Sequence, residues 1–151
     1  MTNSEAVNIR SVHSEEAYPA VMRLLRQLQP NDPIVPDQTG RELFRDILKS
    51  DALHLLVAEI DGVICGTCYL NIIPNLTRSL APYALIENVV TDAAQRRKGI
   101  GKQLLEAAIE KAFALGCYKV MLMTGRGEQT QHFYESCGMT RGAKTAFIIR
   151  A

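Results

Sequence analysis

Residues 96–101 read Arg96-Arg97-Lys98-Gly99-Ile100-Gly101, three adjacent cations followed by two glycines spaced by one residue. Just before them stands Glu87-Asn88-Val89-Val90-Thr91, an apolar stretch with strand character, and just after them come Lys102-Gln103-Leu104-Leu105, which open a helix. A strand, a basic glycine turn and a helix start form a main-chain cradle for an anion. Glycine lets the backbone approach a ligand closely, the helix N-terminus leaves N–H groups unpaired, and the cations add charge. A pyrophosphate is the anion that such a cradle suits. Two familiar nucleotide loops do not fit. The dinucleotide fingerprint needs a third glycine where Leu104 stands. A Walker A loop needs glycine at Arg96 and a hydroxyl residue at Gln103.

The elements that must position this cradle can be read from periodicity. A short strand is expected over 7–12. Ser14 can cap a helix running to about Leu28, with Ala17, Val21, Leu24, Leu25 and Leu28 on one apolar face. Pro30, Pro33 and Pro36 then force a loop, and a second helix over 40–50 turns Leu43, Phe44, Ile47 and Leu48 inward. Strands over 53–60 and 63–73 flank Asp61-Gly62, a hairpin signal. Another strand is expected over 83–91, then a helix over 99–115 ended by Gly116, and a strand over 117–124, apolar enough to be buried on both faces. A helix carrying His132, Phe133 and Tyr134 closes at Gly138, and 144–150 is expected as a last strand. The order predicts one mixed α/β domain spanning residues 1–151. The unit from 83 to 124 should be a right-handed crossover joining parallel strands.

Bulk properties narrow the partners. The net charge is +1, so nothing in the total points to nucleic acid. No apolar run approaches the ~20 residues of a membrane helix, and the first residues do not read as a secretion signal, so a cytoplasmic protein without a membrane partner is expected. Cys65 and Cys68 form a C-x-x-C without a second pair. On a strand, residues three apart point to opposite faces, so packing cysteines are expected rather than a metal site. His132 is expected at the surface or in packing, not in chemistry.

A second run, Phe133-Tyr134-Glu135-Ser136-Cys137-Gly138-Met139, sits at a telling distance from the glycine turn. Together the two segments resemble the Gcn5-related N-acetyltransferase superfamily, whose coenzyme A pyrophosphate motif is R-x-x-G-x-G and whose later motif is F-Y-E-x-x-G-F. The resemblance covers residues 86–139. It implies a central mixed sheet of about six to seven strands, antiparallel in its first half, with a parallel pair splayed at the cofactor site and helices on both faces. It also implies transfer of an acetyl group from acetyl-CoA to a primary amine in a ternary complex, with no metal. Val89, Val90 and Thr91 would then offer main-chain groups to the pantetheine arm, with the amide of Val89 polarising the thioester oxygen. Arg96, Arg97, Lys98, Gly99, Ile100, Gly101 and Lys102 would hold the pyrophosphate, and Gln129 would contact the cofactor. Tyr134 would protonate the departing sulfur. Glu87 would take the proton of the amine, or hold the ammonium while water does so. A non-catalytic acyl-CoA sensor on the same fold is the rival reading.

Within that superfamily, Gly116-Cys117-Tyr118-Lys119-Val120 and the strand at Ile86-Glu87-Asn88 are similar to glucosamine-phosphate N-acetyltransferases. That likeness implies a small-molecule amine acceptor, with an amino sugar phosphate as the specific option. Asn88 and Arg150 would meet the acceptor, Arg150 through a phosphate. Asn88 stands where that pattern carries an acid. The resemblance also implies a homodimer, with the final strand free to pair or swap.

Overall fold

The computed structural model describes residues 6–151. Its strands and helices run β1 (Asn8–Ser11), α1 (Tyr18–Leu28), α2 (Asp37–Lys49), β2 (Leu53–Ile60), β3 (Val63–Ile73), β4 (Tyr83–Thr91), α3 (Ile100–Ala114), β5 (Val120–Met121) and α4 (Glu128–Ser136). The strands form one sheet of five in the order β1-β2-β3-β4-β5. The first four pair antiparallel and β5 joins β4 in parallel, with α3 as the crossover. This is the mixed α/β architecture that the periodicity implies.

Local chemistry explains most boundaries. Ser14 accepts a hydrogen bond from the Glu16 amide and caps a single 3-10 turn at Glu15–Ala17, after which Pro19 sits in the first turn of α1, where no N–H is required. Asp61 and Gly62 both have positive φ (50° and 77°), as the tight turn joining β2 to β3 requires. Gly116, with φ 86°, ends α3.

The sheet carries a core on each face. On one side Ile100, Leu104, Leu105, Ala108 and Ala112 of α3 pack on Leu56, Ala58, Leu70, Ala84 and Ile86. On the other, Val21 and Leu24 of α1 and Phe44 of α2 cover Leu55, Val57, Ile64 and Val90. Helices on both faces are as expected.

Several expectations need correction. The sheet has five strands among the described residues, not six or seven. The segment 144–150 forms no strand and joins no sheet among the described residues. The expected strand over 117–124 is only two residues long, because β4 and β5 diverge. Its side chains are not buried on both faces; Met123 is 53% exposed. The second helix starts at Asp37 rather than Gly40, and Leu43 points to solvent at 62% exposure. Cys65 and Cys68 both lie in the α3-side core, not on opposite faces. A bulge is the reason: Ala58 pairs with Gly66 and Glu59 with Ile64, so Cys65 is an extra residue that resets the alternation. Both remain free buried thiols, burial holds the Cys68 thiol up to about 12, and no metal-binding cluster occurs among the described residues.

His54 on β2 supplies a stability prediction. Its Nε2 is buried without a hydrogen-bond partner. Burial, and then Lys111, lower its pKa, against the weaker opposing pull of Asp51. The folded state therefore holds a proton less readily than the unfolded chain. Stability is fully present above about 6.5, the ordinary value, and declines as pH falls below it. Glu59 and Asp92, both lowered by arginine hydrogen bonds, keep their contributions above the ordinary carboxylate values and lose them as pH falls through those values and below. Thermal melts at pH 7 and 5.5 should show a drop in wild type that His54→Leu reduces; equal drops would remove His54 as the source.

Candidate active site

The parallel pair is the origin of the site. Only Ala84↔Val120 and Leu85↔Met121 are in register, and beyond Leu85 the two strands separate. Main-chain groups of β4 from Ile86 onward thus lack a strand partner on that side. A bulge decides which of them face the gap. Tyr69 pairs with Glu87 and Thr67 with Val90, so Asn88 and Val89 together oppose Cys68. Asn88 takes up the extra residue in the left-handed region, with φ 53°. Asparagine tolerates that conformation better than most residues, and this is a signal in the sequence that periodicity alone does not use. Beyond the bulge, the Asp92 amide donates to the Cys65 carbonyl at 2.8 Å, toward β3. By the alternation of a strand, the amides of Thr91 and Val89 point the other way, into the gap.

The glycine turn lies at the mouth of the gap. Arg97 and Gly99 both have positive φ (63° and 77°), with Lys98 between them. Successive amides in such a conformation form a concave anion nest. Helix α3 begins at Ile100, so the amides of Ile100, Gly101 and Lys102 have no intrahelical acceptor. The side chains of the turn are partly engaged: Lys98 Nζ donates to Gln95 Oε1 at 2.7 Å and Arg96 Nε to the Thr91 carbonyl at 3.5 Å. Lys102 is 3.9 Å from Glu106, which leaves it exposed. Gly101 has a packing role as well. A Cβ there would sit 3.1 Å from Thr91 Oγ1 and 3.4 Å from the Phe133 ring.

Tyr134 comes to this region from α4. Its ring lies 5.3 Å from that of Phe133 and packs against the α3-side core, while its hydroxyl has no hydrogen-bond partner among the described residues. Burial raises its pKa, reinforced by Cys137, Cys68 and Glu87 and opposed by Arg126. The phenol is therefore protonated at neutral pH. Glu87 is half-buried on β4 and makes no side-chain hydrogen bond or ion pair among the described residues, so its carboxylate is available to a ligand. Gln129 is exposed in the first turn of α4, also without a side-chain partner. His132 is exposed and lies 3.5 Å from Glu128, a surface residue as expected. Arg150 is not gathered with these groups; it stands in the uncovered C-terminal segment.

Two features escaped sequence reasoning. Arg126 donates to the Leu28 carbonyl at 3.4 Å, tying the loop before α4 to the end of α1. Asp92 is joined to α1 through Arg23 and Gln27. Neither pairing has a local signature, since the partners lie 98, 69 and 65 residues apart.

A strand that parts from its parallel neighbour, followed by an anion nest and a helix start, matches the model of the acetyltransferase (GNAT) family over residues 18–139. The chain belongs to the GNAT family. As a GNAT protein it is an N-acetyltransferase. Glucosamine 6-phosphate N-acetyltransferase 1 of Oryza sativa subsp. japonica is 28% identical over 144 residues, covering 90% of this chain and 82% of the relative. A solved protein of Agrobacterium tumefaciens str. C58, named as a candidate acetyltransferase, superposes with a TM-score of 0.90 at 42% identity, covering 95% of this chain and 99% of that one. The glucosamine-6-phosphate N-acetyltransferase of Arabidopsis thaliana superposes with a TM-score of 0.83 at 28% identity, covering 97% and 99%. Among the described residues of this GNAT chain, no helix is long and apolar enough to cross a membrane.

Proposed function

We propose that the whole chain acts as one catalytic unit that moves the acetyl group of acetyl-CoA to the primary amine of a small molecule, by direct attack in a ternary complex. The observation that carries this reading is the gap beyond Leu85, which leaves β4 main-chain groups open beside an anion nest. The diphosphate of CoA rests on the amides of residues 97–102. The pantetheine arm runs along Val89, Val90 and Thr91, adding a strand-like partner where β5 is absent.

The neutral amine attacks the thioester carbon, and the oxygen gains negative charge. The Val89 amide, turned into the gap, donates to that oxygen, a contribution of typically ~3 kcal/mol. The carbon–sulfur bond then breaks, and Tyr134 gives its proton to the sulfur. The nitrogen loses its proton to Glu87 or to water, and the phenolate regains one from the same pool. No metal has a part in these steps.

Among amines, the amino sugar phosphates have the best support. The relatives from rice and Arabidopsis bear that activity in their names. Asn88 differs from the acid of that pattern in charge, while either residue accepts the left-handed bulge. Asn88 would hold acceptor hydroxyls and Arg150 the phosphate. Arg150 reaches a site only if the C-terminal segment is placed by a second subunit. That segment exposes Phe147 at 93% and Ile149 at 97%. Three adjacent apolar residues of strand type, Phe147, Ile148 and Ile149, are costly in water, and a homodimer would cover them. Light scattering should report a dimer that Phe147→Glu together with Ile149→Glu converts to monomer; a monomeric wild type would overturn this part. A cytoplasmic setting suits free acetyl-CoA.

The function itself is tested by calorimetry with CoA, followed by thiol release from acetyl-CoA with glucosamine 6-phosphate, glucosamine, polyamines and amino acids. Absence of heat with CoA would end the proposal. Release with a non-phosphorylated amine at the same kcat/KM would remove the role of Arg150.

A further inference from the structure

We propose that Arg23 and Gln27 of α1, acting through Asp92, are positioning residues for the donor's diphosphate. This rests on the acetyl-CoA reading above. Asp92 is the hinge between β4 and the basic turn, five residues before Arg97. Each of its polar atoms is engaged. Oδ2 accepts from Arg23 Nη1, Oδ1 accepts from the Ala94 amide at 3.1 Å and from Gln27 Nε2 at 3.4 Å, the amide donates to Cys65, and the carbonyl accepts from the Gln95 amide at 2.8 Å. Gln27 completes the ring, its Oε1 accepting from the Ala93 amide at 2.9 Å. Arg23 also donates through Nη2 to the Ile64 carbonyl at 3.0 Å, so one guanidinium grips both β3 and the hinge.

The contrast along the chain is the argument. The amides of residues 92–95 are all bound by protein acceptors, whereas those of Ile100, Gly101 and Lys102 have none among the described residues. The first group fixes where the second group aims. A diphosphate held by several main-chain amides responds steeply to small displacements of the turn. Arg23 and Gln27 are one helical turn apart on α1, so a single helix face sets the angle of the cradle from the opposite side of the sheet to α3. An arginine is required at position 23 because an acceptor on β3 and one at the hinge share one planar fork.

The discriminating experiment compares two donors in the intact protein. Acetyl-CoA carries the diphosphate; S-acetyl-pantetheine carries the same thioester and arm without it. In Gln27→Ala and Asp92→Asn, KM for acetyl-CoA should rise about tenfold with kcat within about twofold, while kcat/KM for S-acetyl-pantetheine is unchanged. Arg23→Lys should match Arg23→Ala more than wild type. Equal losses with both donors would reduce the cluster to general support of the fold. No loss with acetyl-CoA would overturn the proposal as well. Gln27→Ala keeps the Arg23–Asp92 pair and guards against a variant that fails to fold. Wild type that gives no heat with CoA would instead sink the acetyl-CoA reading itself, a result separable from either outcome above.

Discussion

Replacing Tyr134 with phenylalanine should lower kcat about a hundredfold while the affinity for acetyl-CoA stays within about twofold. The substitution is clean. The ring keeps its place beside Phe133 and against the core, and the hydroxyl that is lost has no protein partner to strand. What disappears is the proton for the departing sulfur. The pH profile gives a second readout. Burial holds the phenol above its ordinary value of 10, so wild-type kcat should fall only as pH rises past that value and the acid deprotonates. The phenylalanine variant should lack that alkaline limb. A kcat equal to wild type would remove Tyr134 from the mechanism.

Gly101→Glu should weaken CoA binding by about a hundredfold or more. Three effects act in the same direction. The new Cβ meets Thr91 Oγ1 at 3.1 Å and Phe133 at 3.4 Å, which shifts the start of α3 away from the turn. The carboxylate occupies the space beside the anion nest. Its charge opposes the diphosphate. The fold itself should survive, because an acidic residue in the first turn of a helix is favourable and glycine there is a weak helix former. Gly101→Ala isolates the first effect and should cost much less. Calorimetry with CoA, read beside thermal melts of each variant, separates binding from stability. Undiminished binding in Gly101→Glu would place the diphosphate elsewhere.

The basic glycine turn and the Phe-Tyr-Glu run were readable because their chemistry is local. An anion nest needs particular residues next to one another, and a helix start follows it in sequence. Most elements were readable for the same reason, since amphipathic spacing reports which face of a helix or strand is buried. Leu43 shows where this fails. It stands one helical turn before Ile47, yet it is 62% exposed while Phe44 beside it is buried.

What the order of residues determined alone was the family, the basic glycine turn with the helix that follows it, and the alternation of helices and strands. The tertiary structure decided the rest. Whether Val89 or Asn88 aims its amide into the gap depends on a bulge, set by how β4 registers against β3. Where β5 leaves β4, after only two residue pairs, is a property of the two strands together. The hold of α1 on Asp92 joins residues 69 and 65 positions apart, and the C-terminal segment joins no strand among the described residues. Register, divergence and distant pairing are properties of two segments meeting in space, and a pattern within either segment carries no information about the meeting.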